Sequence, residues 1–359
     1  MCNYDRLPRV PSTADLNDVR PEDNELWTKD HGATTQKLLA CPYNGGAMSV
    51  TLVASALLTS CIVTLFSLYF PFWLAPQAAK KTYNLAFYQY NQDALHHFDT
   101  TAWTYGTDYG LATVMVYFSY KLYRQIQRQQ PSTAPSRFCQ HSWGLLLGYA
   151  ASTTAGAVAH QYYATRQDRN TWHFRLLWTI CVGTVTYASA PMGSIASEMA
   201  RQFQPHMTTS TLLTRYVIPE TFWKVFGIVT TAVCAFGWFS YQRPACDIFI
   251  AGITQFPSSF YVIAAIFQIG RDPAVAAFVT PTMQWMGMLA FIGNAPLLPL
   301  YPLLVQYTDW SLANVNTFLH TWLFVTWSMQ AMTVINMEKA MADLQHRPPM
   351  AVPQKIKDA

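Results

Sequence analysis

Four ionisable side chains interrupt long apolar stretches of this 359-residue chain: Asp108, His160, Asp247 and His320. Two imidazoles and a carboxylate are donors that bind zinc and leave a position open for water. An ion held in that way lowers the pKa of its water towards 7 and so produces a nucleophile for hydrolysis. A second carboxylate then serves as general base, or fixes the tautomer of a liganding imidazole. The same residue types also build proton relays and cation pathways within membranes. Each residue has a plainer account as well. Asp108 and Asp247 fall within about two turns of expected helix starts, where a carboxylate reaches interfacial water and suits the helix dipole. His160 reads equally as an interfacial histidine bonded to a neighbour, whereas His320 lies deeper in its segment.

These residues must be positioned by membrane-spanning helices. The chain is 51% hydrophobic and only 12% charged, about half the charge of an ordinary soluble domain. A helix needs about 20 mostly apolar residues to cross a bilayer, and eight segments qualify: 48–74, 102–122, 142–163, 174–198, 220–241, 245–269, one within 274–307, and 312–335. Backbone polar groups cannot stay open in lipid, so the spans are expected as helices. Pro191 predicts a kink in the fourth. Prolines 281, 296, 299 and 302 predict that the seventh ends near Asn294 and gives way to an irregular stretch.

Basic residues orient the bundle. With eight spans, the tails and alternate loops carry 17 Lys and Arg on one side against 6 on the other. The bias places both termini in the cytoplasm. On that topology Asp108, His160, Asp247 and His320 all fall in the non-cytoplasmic half, which predicts a common pocket.

Other features exclude function classes. A net charge of +4, scattered along the chain, offers no basic face for nucleic acid; membrane lipids are the expected partners. The seven cysteines show no CxxC and no regular spacing. Cys61, Cys181 and Cys234, within apolar stretches, read as small hydrophobes. There is no Walker motif, dinucleotide loop, HExxH or GxSxG. His96, His97 and Asp99 form a polar-loop cluster that reads as exposed. His173 and Arg175 read as snorkelling residues or as lining of the same pocket. Ala155, Gly156, Ala157 and the small residues of the fourth span suggest close helix contacts. Asn314 and Asn316 precede His320 and either orient it or cap the last helix.

Three stretches together carry a resemblance: TDYGLATVMVYFSY at 107–120, GLLLGYAASTTAGAVAH at 144–160 and NVNTFLHTWLFVTWSMQ at 314–330. They resemble the first, second and seventh helices of the CREST superfamily, the seven-helix group of alkaline ceramidases and progestin/adiponectin-type receptors. The resemblance implies an all-α integral membrane fold in which a seven-helix core at 102–337 is preceded by an extra span at 47–76. A cytoplasmic tail at 1–46, a polar loop at 77–101 and a second cytoplasmic tail at 338–359 complete the organisation. It further implies zinc held by a histidine ending the second core helix and an HxxxH pair in the seventh. His160 matches the first of these and His320 one member of the pair. Gly156 stands where the family has a serine. Asn316 and Phe324 stand four residues either side of His320, so there is no HxxxH, and the third core helix has Glu198 in place of a more central aspartate.

Three functions suit this pattern. The one that requires fewest unobserved features is a non-enzymatic receptor, lipid-binding protein or complex subunit. The second is a zinc-dependent intramembrane hydrolase of lipid amides or esters, with His160 and His320 as metal ligands and Asp108 and Asp247 as catalytic carboxylates. The third is an ion or proton carrier.

Overall fold

A computed structural model describes residues 46–74, 87–89, 100–129, 136–169, 171–208, 217–239, 242–244, 251–294, 297, 300, 303–304 and 307–345. The described chain is helical but for one short strand pair. In order, the elements are α1 (Gly46–Leu74), β1 (Phe87–Gln89), α2 (Ala102–Gln129), α3 (Arg137–Tyr162), α4 (Arg166–Arg169), α5 (Trp172–Tyr187), α6 (Ser189–Phe203), α7 (Glu220–Phe239), β2 (Gln242–Pro244), α8 (Phe256–Arg271), α9 (Pro281–Ile292) and α10 (Leu312–Gln345). Strands β1 and β2 pair antiparallel, Tyr88 opposite Arg243, and tie two segments read from sequence as loops.

The helices contact one another in a ring: α2 on α3, α3 on α5, α5 on α7, α7 on α6, α6 on α8, α8 on α9, α9 on α10, and α10 back on α2. Long aromatic and aliphatic side chains fill the interior. Tyr149 of α3 stacks on Trp327 of α10 with centroids 3.8 Å apart, and Trp223 of α7 stacks on Tyr261 of α8. Close approach of helices depends on small residues. Gly193 of α6 lies against the Trp223 ring, and Gly227 of α7 lies against Ala190.

The fourth expected span is two helices, α5 and α6, separated at Ala188. Pro191 has no N–H to offer the preceding turn, which ends the first hydrogen-bond ladder there. The Gln255 side chain accommodates the break, donating through Nε2 to the Val185 and Ala251 carbonyls and accepting the Tyr149 hydroxyl. The seventh segment forms a helix to Ile292, followed by a turn at Gly293 and Asn294. Two helical segments, Val50–Ser67 and Ala251–Arg271, are long and apolar enough to cross a membrane by length and composition. Helices α2 and α3 have lower mean hydropathy because polar residues punctuate them. Ser142, Ser152, Thr153, Thr154 and His160 lie on α3, and α2 ends in a basic stretch.

Candidate metal site

Helix α2 is clamped to both of its neighbours around Asp108. Trp103 Nε1 donates to Thr321 Oγ1 of α10 at 3.0 Å, and the Tyr109 hydroxyl donates to Gln161 Oε1 of α3 at 2.8 Å. One turn below the first of these contacts, Gly110 lets Phe324 approach the α2 backbone. These ties place Asp108 between the last turn of α3, which carries His160, and the third turn of α10, which carries His320.

The result is a cluster of three donors. Ligand atoms of Asp108, His160 and His320 all lie within 4.8 Å of one another. Asp108 and His160 are 7% and 8% exposed, so burial withdraws these polar groups from bulk water. His320 Nδ1 stands 2.9 Å from Asp108 Oδ1. A carboxylate accepts, so the Nδ1–H donates and Nε2 keeps its lone pair. The two imidazole rings meet edge to face at 5.5 Å.

Space for the cluster comes from Gly156. A β-carbon at that position would stand 3.1 Å from Asp108 Oδ2 and 3.2 Å from Cys181 Sγ. The residue read from sequence as a close helix contact thus has the Asp108 and Cys181 side chains as its neighbours, and a serine in its place would compete with the Asp108 carboxylate for the same volume.

Below the cluster opens a cavity of about 190 Å³. Its walls are chiefly apolar: Trp178, Val182 and Val185 from α5, Leu319 and Leu323 from α10, Phe291 from α9 and Leu297 beyond it. Ser152, Thr153, Gln255, Ser259 and Asn294 add polar atoms. The Asn294 side chain accepts the Thr326 hydroxyl through Oδ1 at 2.7 Å. Trp178 packs edge to face on His160 at 5.7 Å and shields it from the α5 side.

The turn joining α3 to α5 is fixed by Asp168. Its carboxylate accepts from the Thr165 hydroxyl at 2.6 Å and the Thr165 amide at 3.1 Å, which holds its pKa below the usual carboxylate value. The fold therefore gains from this charge above the unfolded pKa and loses the gain as pH falls through the lower folded value. Arg169 donates from Nη1 to the Tyr163 and Ala164 carbonyls, closing the same turn.

Of the four residues singled out by depth, the fold brings Asp108, His160 and His320 together. Asp247 lies outside the described residues, as do His96, His97 and Asp99. His173 is exposed and stacks on Trp172, while Arg175 is buried; neither lines the cavity. Ser311 starts α10, its hydroxyl accepting the Asn314 amide, and it is Asp108 that orients His320. Cys181 and Gln255 carried no signal in the sequence beyond their place in apolar segments. A helical spacing from Trp178 to Cys181, Val182 and Val185 is what puts that thiol on the cavity face.

No family model, curated protein or solved structure matches the chain.

Proposed function

We propose that this protein is a multi-pass membrane protein that binds a divalent metal through Asp108, His160 and His320 and hydrolyses an amide or ester bond of a lipid. The convergence of three ligand atoms within 4.8 Å, from three different helices, carries the reading.

The residues suit the ion. Zinc bonds to imidazole nitrogen and carboxylate oxygen run to about 2.0–2.2 Å, so the set needs to draw in by about an ångström to close around one. Gly156 leaves the room for it. A bound ion polarises a carbonyl and acidifies a water. The rest falls to the chain. Asp108 Oδ1 fixes the His320 tautomer, and its Oδ2, on the Gly156 side, acts as ligand or as acceptor of a proton from water. Trp178, Leu319 and Leu323 exclude bulk solvent and strengthen each charge within the site. The apolar walls below take the hydrocarbon part of a substrate, with Asn294 and Ser152 as polar contacts for the group next to the scissile bond.

The membrane setting and the eight-span topology are part of the proposal. Supporting it, helices of modest mean hydropathy carry large apolar side chains outward: Val116 on α2, Leu147 on α3, Leu176 and Ile180 on α5, Ile228 on α7 and Val325 on α10 are all exposed. An aqueous protein rarely shows so much such surface. Exposed Trp73, Trp103, Trp172, Tyr307 and Trp310 all fall at helix ends assigned to the non-cytoplasmic face, as an interfacial aromatic belt does. The CREST-type resemblance agrees with this reading, with Asp108 in place of the second histidine of the missing pair.

A second reading keeps the cavity and drops the chemistry. The Asp108–His320 hydrogen bond satisfies both groups without an ion, which suits a lipid-binding receptor or subunit. Metal analysis of detergent-purified, chelator-free protein separates the two. The hydrolase reading expects about one zinc per chain, lost in His160→Ala and His320→Ala, together with release of fatty acid from lipid amide or ester substrates by the wild type. A well-folded, metal-free wild type sinks the hydrolase and leaves the lipid-binding protein.

A further inference from the structure

Resting on the metal-site reading, we infer that Cys181 is a fourth donor to the same ion, so that the resting site is a closed centre with two nitrogen, one oxygen and one sulfur ligand. Among the described residues, Cys181 is in no disulfide. Cys181 lines the cavity together with Asp108, His160 and His320. Its Sγ and Asp108 Oδ2 both approach the point where a β-carbon of Gly156 would stand, at 3.2 and 3.1 Å. No side chain on Gly156 separates them.

The helix that bears Cys181 is held in register at this level. The Ser152 hydroxyl of α3 donates to the Cys181 carbonyl at 2.6 Å and lies 3.9 Å from its sulfur. Trp178, one turn earlier, abuts His160. The Cys181 Sγ is not among the atoms within 4.8 Å of one another that Asp108, His160 and His320 supply, so the thiol has to move towards them on binding, and zinc–sulfur bonds of about 2.3 Å, longer than those to nitrogen or oxygen, reduce that movement. Binding replaces the S–H bond by a sulfur–metal bond and releases the proton to solvent.

Two consequences follow from chemistry. A thiolate added to two imidazoles shifts the preference of the site to zinc, cobalt and other borderline metals over magnesium and calcium. A filled fourth position also keeps water off the ion until the thiolate is displaced, so lipid entering beside Cys181 would open the centre.

The test uses full-length protein in detergent, loaded with Co²⁺ as a spectroscopic substitute for zinc. The expected wild-type spectrum shows the near-ultraviolet charge-transfer band of a cobalt–thiolate bond along with the visible ligand-field bands. In Cys181→Ser the charge-transfer band disappears, the ligand-field bands persist, and cobalt affinity falls at least about tenfold. As a check that needs no variant, zinc should protect Cys181 of the wild type from maleimide labelling, read by peptide mass spectrometry. Cobalt bound without a thiolate band, or a band unchanged in Cys181→Ser, or labelling of Cys181 indifferent to zinc, overturns the fourth ligand and leaves the three-residue site standing. Failure of the wild type to bind cobalt or zinc at all overturns the metal site itself.

Discussion

The two ends of α3 carry similar residues in opposite circumstances. His141 and His160 are separated by about 28 Å along the helix axis. Near His141, two carboxylates have cationic partners: Glu220 meets Lys224 at 2.6 Å and lies 3.5 Å from His141, and Glu198 pairs with Arg201. The two ion pairs lie within α7 and within α6, the His141 contact joins α3 to α7, and the Glu220 pair ends in water, since Lys224 is more than half exposed. Near His160, Asp108 meets imidazole, and among the described residues no lysine or arginine pairs with it. Unlike charges brought together at a rim compensate one another and hold helices. Donors brought together without a permanent cation, at the head of a cavity, suit the ion proposed above. The identity of the partners distinguishes the two ends.

Substitutions at paired positions sharpen that contrast. The largest stability effect is expected from Gly193→Ala, because a β-carbon there overlaps the Trp223 ring. Overpacking of this kind costs about 1–3 kcal/mol, read as a lower midpoint in thermal or denaturant unfolding, with zinc content unchanged. Gly156→Ser should do the reverse. Its new side chain meets a movable carboxylate and a thiol rather than a ring, so stability changes little, while zinc affinity drops about tenfold as Asp108 is displaced; competition with a chelator measures it. A Gly156→Ser protein with wild-type zinc affinity would break the claim that this glycine makes room for the ion. The smallest effect belongs to Glu220→Gln. The Lys224 partner is exposed, and such pairs contribute less than about 1 kcal/mol. Zinc content should be untouched, and a loss of metal there would erase the distinction between the two ends.

How much of the site was legible depended on which residue carried it. Asp108, His160 and His320 stood out because a polar group in an apolar segment is expensive and so implies a reason. Counting depth along alternating helices was enough to put them at one level. Depth is a single coordinate, however, and says nothing of angle around each helix. His173 and Arg175 lie at a similar level and line neither wall. Gly156 looked like a packing glycine because small residues do serve that purpose, as Gly193 does. Its role depends on what faces it, which no local pattern encodes. Cys181 was indistinguishable from a small hydrophobe for the same reason.

The sequence alone therefore determined the helical class and the places of most helices. Long apolar runs specify helices and Pro191 the break in the fourth segment, because backbone hydrogen bonding acts residue by residue, whereas α2 and α10 run past the expected ends at 122 and 335 to Gln129 and Gln345. Only the tertiary structure decided the partners. Closure of the helix ring sets the rotation of α2, α3, α5 and α10 against one another, and that rotation brings a carboxylate and a thiol to the side-chain-free face of one glycine, with two imidazoles beside the carboxylate.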